Sequence, residues 1–297
     1  MKAKHLLLVM VISVLPLTIM AEQREYTDAN KVVYTYDTNG ITASVKSGKE
    51  GGAGLLADAG CPEAEGDIVI PSQIEVDGKV YKVTEIGRDA FAYNLYITSV
   101  DIAEGVQTLR KNCFWYCRNM AWIRLPQSVN KIEMSAFSVC EKLQSIDLPE
   151  GLTIIEKNTF AKCKGLKSIK LPSSLKTLSA SAFDDCTGLT SIFIPQNLSS
   201  YNGSFVGCSG IETIAVDERN QWYDSREDCN AIVETATNKL LLGCKNTVIP
   251  KTVTCLGNIC FAGVDINEMV VPDHIKIIEA GVFSSCKNLK SVVTSVY

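Results

Sequence analysis

The sequence predicts a mainly β solenoid, a right-handed curved stack of short units with one parallel β-ladder on one side and turns with short helical segments on the other. Three observations predict it. Phenylalanine recurs at a fixed interval: Phe91, Phe114, Phe137, Phe160 and Phe183 are 23 residues apart, Phe205 follows after 22, and Phe283 lies 22 beyond Phe261. A small residue comes three positions after most of them, as Cys117, Cys140, Cys163, Cys186, Cys208 and Cys286, with Asn94 and Val264 in the other two units. A strand-like phrase ending in proline then follows, as in Leu143-Gln-Ser-Ile-Asp-Leu-Pro149 and Leu166-Lys-Ser-Ile-Lys-Leu-Pro172. Self-similarity at such a period marks units that are each too small to bury a core and must stack on their neighbours.

Taken in chain order, residues 1–21 read as a secretory signal peptide. Basic Lys2 and Lys4 precede an apolar run from Leu6 to Ile19, and Ala21 stands at a cleavage point. Ser13, Pro16 and Thr18 interrupt the run, which falls short of a comfortable span. No other segment approaches the roughly 20 apolar residues a membrane helix needs. The expected product is therefore exported, with no membrane span.

Residues 22–66 are expected to cap the stack at its N-terminal end as a small β unit, with a hairpin from Val32 to Val45 around Asn39-Gly40. Cys61 lies in this region with no assigned role.

Residues 67–216 carry the repeats. In Ile146-Asp147-Leu148 the apolar residues point inward and the carboxylate outward, as period-2 geometry requires of a strand with one buried face. Pro71, Pro126, Pro149, Pro172 and Pro195, and later Pro250 and Pro272, lack the N–H needed to extend a ladder and close the strands along one line. The chain re-enters through a second apolar stretch, such as Val129 to Ile132 or Leu152 to Ile155. Phenylalanine and cysteine then fill the interior. The strand phrase is the L-x-x-L-x-L of a leucine-rich repeat, so the predicted class is a leucine-rich-repeat solenoid.

Residues 217–249 break the register. Phe205 and Phe261 are 56 apart, which is one 23-residue unit plus 33. Part of the surplus reads as a hairpin, Ala231-Ile-Val-Glu-Thr against Lys239-Leu-Leu-Leu-Gly243 across a turn at Ala236 to Asn238. Insertions in solenoids map to one face, so this one either binds a ligand or braces the stack. Repeats resume over 250–297. The last strand phrase, Leu289 to Val293, comes just before Tyr297 with no polar cap. An uncapped rung exposes a sheet edge, so either the native chain is longer or the edge supports self-association.

The units resemble the BspA-type leucine-rich repeats of bacterial surface proteins, which read L-x-x-I-x-L-P, an apolar stretch, then Ala-Phe-x-x-Cys. Ala90-Phe91, Ala136-Phe137 and Ala182-Phe183 match, with Cys113, Thr159 and Ser204 standing where other units would have that alanine. The resemblance covers about residue 67 to 297. It implies a secreted or surface-exposed protein of host-associated bacteria, in a family some of whose members act as adhesins that bind extracellular-matrix proteins, and it does not imply which ligand this chain binds.

Composition narrows the function classes further. Without Lys2 and Lys4 the formal charge is 27 − 33 = −6. This opposes nucleic-acid binding, which depends on clustered Lys and Arg. The mature chain has one histidine, His274, expected to be exposed in a loop, and no G-x-S-x-G nucleophile elbow. Gly51-Gly-Ala-Gly54 after Lys49 lacks the order of a phosphate loop and reads as a turn. The sequence predicts no enzyme, no catalytic residues, no cofactor and no metal site.

The column Cys117, Cys140, Cys163, Cys186 and Cys208 reads as buried thiols packed as small apolar groups. Parallel side chains on adjacent rungs sit about 4.8 Å apart, whereas bridged Cβ atoms need about 3.8 Å. Cys229 and Cys244, flanking the hairpin, form the better disulfide pair. Outward strand positions form two columns, one through Asp101, Arg124, Asp147, Lys170 and Phe193 and one through Ser99, Trp122, Ser145, Ser168 and Ser191. The alternating signs of Arg124, Asp147 and Lys170 fit cross-strand pairing. Trp122 and Phe193 are residue types that anchor interfaces. Two functions remain open: recognition of a host protein or glycan through Trp122, Arg124, Asp147, Lys170 and Phe193, or an architectural spacer of the cell envelope with no specific ligand.

Overall fold

In the computed structural model, which describes residues 22–49 and 58–294, the strand phrases align as a parallel ladder. The leader expected over 1–21 and the glycine turn at 51–54 lie outside the described residues. Ile97–Ile102 pairs with Gly66–Ile70 on one side and Trp122–Arg124 on the other. The ladder continues through bridges from Trp122 to Ser145 and from Asp147 to Lys170, and then through Ser191–Ile194 paired with Thr213–Val216. Ile123, Ile146, Ile169 and Ile192 and the Leu125, Leu148, Leu171 and Ile194 column are buried, while the residues between them face out. After four of the prolines the chain turns at once: Val129, Leu152, Leu175 and Leu198 donate their N–H to the carbonyls of Pro126, Pro149, Pro172 and Pro195 at 3.0–3.2 Å.

The sequence predicts a single ladder, and the fold has a second one. Lys79–Ile86, Thr108–Leu109 and Lys131–Ile132 pair in parallel, as do Ile154–Ile155, Thr177–Leu178 and Ser200–Tyr201. These strands arise where the chain re-enters. Most are two residues long with one inward side chain, as in Leu109, Ile132, Ile155 and Leu178, which is too little alternation to read as a strand.

The side between the ladders is built from turns with two left-handed residues per unit. One column of positive φ runs through Asp89, Asn112, Ser135, Asn158 and Ser181, the other through Tyr93, Tyr116, Val139, Lys162 and Asp185. Asp and Asn tolerate this region, and Ser is small. Val139 at φ 65 does not suit it, because its branched Cβ crowds the following carbonyl.

Stacking fixes the core. The rings Phe91, Phe114, Phe137, Phe160, Phe183 and Phe205 lie 5.1–5.6 Å apart and within 9° of parallel. Beside them each column thiol donates to the main-chain carbonyl of the phenylalanine one rung back: Cys117 to Phe91, Cys140 to Phe114, Cys163 to Phe137, Cys186 to Phe160 and Cys208 to Phe183, at 3.0–3.2 Å. The column is therefore a row of S–H donors as well as an apolar filler. In the first unit the carbonyls below belong to the cap, and the longer Asn94 spans to Ala64 O at 2.7 Å while its Oδ1 accepts from the N–H groups of Tyr96 and Ile97.

At the N-terminal end Gln23–Thr27, Val33–Asp37 and Thr42–Val45 form an antiparallel sheet whose last strand pairs in parallel with Lys79–Ile86. The cap thus continues the second ladder and covers its edge.

The insertion opens the stack on its strand side. Tyr223–Asp224, Ala231–Glu234 and Lys239–Gly243 run antiparallel, and Lys239–Gly243 then pairs in parallel with Cys255–Leu256. In earlier units the phenylalanine N–H donates to the next rung, as Phe183 does to Ser204 O; at the break, Gly243 N–H takes that place on Cys260 O at 2.8 Å. Gly243 lies so close to Phe261 that a Cβ would stand 2.2 Å from the ring. The turn side stays continuous through Gly207 N–H to Ala262 O and Gly263 N–H to Ser284 O. Beyond the break Glu268–Val271 pairs with Ser291–Thr294, and Phe261 stacks on Phe283 at 6.0 Å.

The edge of Thr213–Val216 is capped by side chains of the insertion. Asn230 Oδ1 accepts from Ile214 N–H at 3.4 Å, Ser225 Oγ donates to Ile214 O at 3.0 Å, and Asn246 Nδ2 donates to Glu212 O at 3.2 Å. The disulfide expected between Cys229 and Cys244 is not formed. Both are free, with Cys229 near Ser225 Oγ and Ala231 O while Cys244 points to the carbonyls of Glu212 and Asn230. Their side chains are committed to separate partners in two different apolar clusters.

Candidate recognition face

The ladder brings Trp122, Arg124, Asp147, Lys170 and Phe193 onto one outward face, because inward and outward positions alternate along every strand. Trp122 is 48% exposed and Phe193 is 54% exposed, the two large aromatics of that face. They sit on different columns and three rungs apart, so a ligand touching both must lie across the ladder.

The charges are not paired as the alternating signs predict. Arg124 turns back to Asp101 and binds it bidentately, Nε to Oδ1 at 2.6 Å and Nη2 to Oδ2 at 2.5 Å. Asp147 and Lys170 are backbone neighbours, yet among the described residues neither joins an ion pair. Asp101 presents both oxygens to the planar guanidinium, and a forked pair outcompetes a single contact, so Arg124 is withheld from Asp147. Asp147 and Lys170 are thus left for solvent or a ligand.

At its far end the face opens into a groove of about 860 Å³ against the insertion. Phe193 and Ala215 line it from the ladder, and Asp217, Arg219, Asp224, Arg226, Asp228 and Asn230 from the insertion. Arg219 and Arg226 each bind, through side chain and backbone N–H, the aspartate two residues earlier. The Arg219 hydrogen bonds hold the Asp217 carboxyl down at about 2, so it is charged throughout the working range. Arg226 also reaches Asn238 Oδ1 at 2.7 Å, which ties the groove wall to the hairpin turn. Sequence reasoning missed these residues. The signal was the doubled Asp-x-Arg in Asp217-Glu-Arg219 and Asp224-Ser-Arg226.

The other candidates fall into structural places. His274 is half-buried, with Nε2 3.1 Å from Pro250 O of the preceding rung, so it bridges units instead of standing free in a loop. Burial pushes the Cys117, Cys140, Cys163 and Cys208 thiols well above their ordinary range and Cys61 up to about 12, which keeps them protonated and poorly nucleophilic. Among the described residues no group of three His, Cys, Asp or Glu side chains is placed to hold a metal ion. Among the described residues no helix is long and apolar enough to cross a membrane.

The profile described as BspA type leucine rich repeat region matches residues 82–221 and 233–296 in 6 copies. The fold is similar to that of a leucine-rich cell-surface protein of Faecalibacterium prausnitzii, with a TM-score of 0.60 and 22% identity over 91% of this chain and 76% of that one. It is also similar to the pneumococcal vaccine antigen PcpA, with a TM-score of 0.62 and 19% identity over 91% of this chain and 81% of that one. A leucine-rich-repeat protein of Eubacterium ventriosum aligns with a TM-score of 0.54 and 14% identity over 92% of this chain and 72% of that one. At these identities the likeness speaks for the fold alone. No curated protein matches the chain.

Proposed function

The chain belongs to the BspA-type leucine-rich-repeat family, and on that premise we propose that it is an exported recognition protein that binds host proteins or glycans through the outward face of its first ladder. The observation that carries the reading is the pair of exposed aromatics, Trp122 and Phe193, on a face whose Asp147 and Lys170 have no ion-pair partner among the described residues. A rigid ladder holds these side chains at fixed spacing, so little conformational entropy is lost when a ligand docks. A few centrally placed residues carry most of the binding energy at protein interfaces, about 2 kcal/mol or more each, and Trp is among the types enriched there. One solved structure of similar fold is described as a cell-surface protein, in keeping with the basic, apolar and small-residue order of residues 1–21.

The test is adherence. The double variant Trp122→Ser/Phe193→Ser is expected to lose attachment to a panel of host extracellular-matrix proteins and glycans with its melting temperature unchanged, since neither ring is in the core. Attachment equal to that of the parent chain would remove this face from the binding site.

A further inference from the structure

The groove beside Phe193 holds carboxylates of two kinds. Asp217 and Asp224 are each gripped by an arginine, at 2.8–2.9 Å from Arg219 and 2.6–2.7 Å from Arg226, so each pair is close to neutral. Glu218 and Asp228 also line the groove, are exposed, and make no ion pair among the described residues. Counting the two arginines against the four carboxylates leaves 2 − 4 = −2. The ladder side of the same space is apolar, formed by the Phe193 ring and Ala215.

We infer that this groove takes a lysine or arginine side chain from an extended segment of a partner protein, with the alkyl stem against Phe193 and the charged head between Glu218 and Asp228. Charge complementarity selects the occupant. A neutral ligand seated here would partly desolvate two carboxylates without compensating either, whereas one cationic head offsets half of the groove's −2 charge and can donate hydrogen bonds to both carboxylates. The stem of a basic side chain covers apolar surface while its head stays polar. Asp217 and Asp224 cannot substitute for the free pair because their own arginines already occupy them. This assignment rests on the reading that the ladder face binds, and it adds which partner chemistry the end of that face prefers.

The probe is an array of twelve-residue peptides, each with one central lysine or arginine between aliphatic residues, beside the same peptides carrying acetyl-lysine or citrulline, and a glycan array run in parallel. The full mature chain is expected to retain charged peptides at least tenfold better than their neutral counterparts, with retention falling as salt is raised. Glu218→Gln/Asp228→Asn is expected to remove that preference, and Phe193→Ser to weaken charged and neutral peptides alike. Equal retention of charged and neutral peptides, an undiminished preference in the double variant, or retention on glycans alone would overturn the assignment. The two readings fail separately. Loss of matrix adherence in Trp122→Ser/Phe193→Ser without any charge preference leaves the ladder face standing and removes the groove's basic ligand; unchanged adherence removes the ladder face itself.

Discussion

At the scale of single residues, the cysteine column shows how one side chain serves packing and hydrogen bonding together. Cys163 is fully buried and donates to Phe137 O at 3.2 Å. Replacing it with alanine removes both the sulfur volume and the donor, and is expected to cost about 1–3 kcal/mol. Serine keeps a donor, so Cys163→Ser should be the milder change; equilibrium denaturation of both variants checks the order. The position of the cysteines could be read from the repeat, but the donor role could not, because the acceptor is a main-chain carbonyl one rung away in space and 26 residues away in sequence. Asn94, standing where other units have cysteine, was the visible hint that this position can donate, although Val264 fills it without a donor in the unit after the break. For Val139 the hint lay in other units: Gly207 and Gly263 hold the same place two residues after phenylalanine, and both have positive φ.

At the scale of elements, each rung touches only its neighbours, so damage should stay local. Gly243 is the sharpest case, since a methyl group there would collide with the Phe261 ring at 2.2 Å. Gly243→Ala is expected to destabilise by about 1–3 kcal/mol through overpacking. Hydrogen exchange should then rise over Cys255–Leu256 and Glu268–Val271 while staying unchanged over Ile97–Ile102 and Trp122–Arg124. Of the elements, the long strands were legible because they alternate and end in proline. The two-residue strands were not, because alternation needs more residues than they have. The insertion was legible by arithmetic as 33 surplus residues. Its capping contacts were not, because Ser225, Asn230 and Asn246 look like ordinary turn residues until they meet the edge of Thr213–Val216.

At the scale of the whole molecule, the thiols make stability depend on alkaline pH. Burial raises the folded pKa of Cys113, Cys117, Cys140, Cys163 and Cys208 above the unfolded value. Their contribution is therefore complete below about pH 8.5 and is lost as pH climbs beyond it, at up to about 1.4 kcal/mol per thiol per unit. With reductant present, the melting temperature is expected to fall steeply between about pH 8.5 and pH 10; a flat profile would mean that the thiols are not held in the core. The fold as a whole was legible because periodicity constrains every unit at once. The outward face proposed for recognition was legible only as a set of positions, since those follow from alternation whereas the groove forms between the ladder and residues distant in sequence. Hydroxyl-radical footprinting of the chain bound to a host extracellular-matrix preparation tests that face most directly. Oxidation of Trp122 and Phe193 is expected to be suppressed while that of Tyr96, 61% exposed outside the ladder strands, stays unchanged. Protection of Tyr96 with Trp122 and Phe193 still oxidised would contradict it.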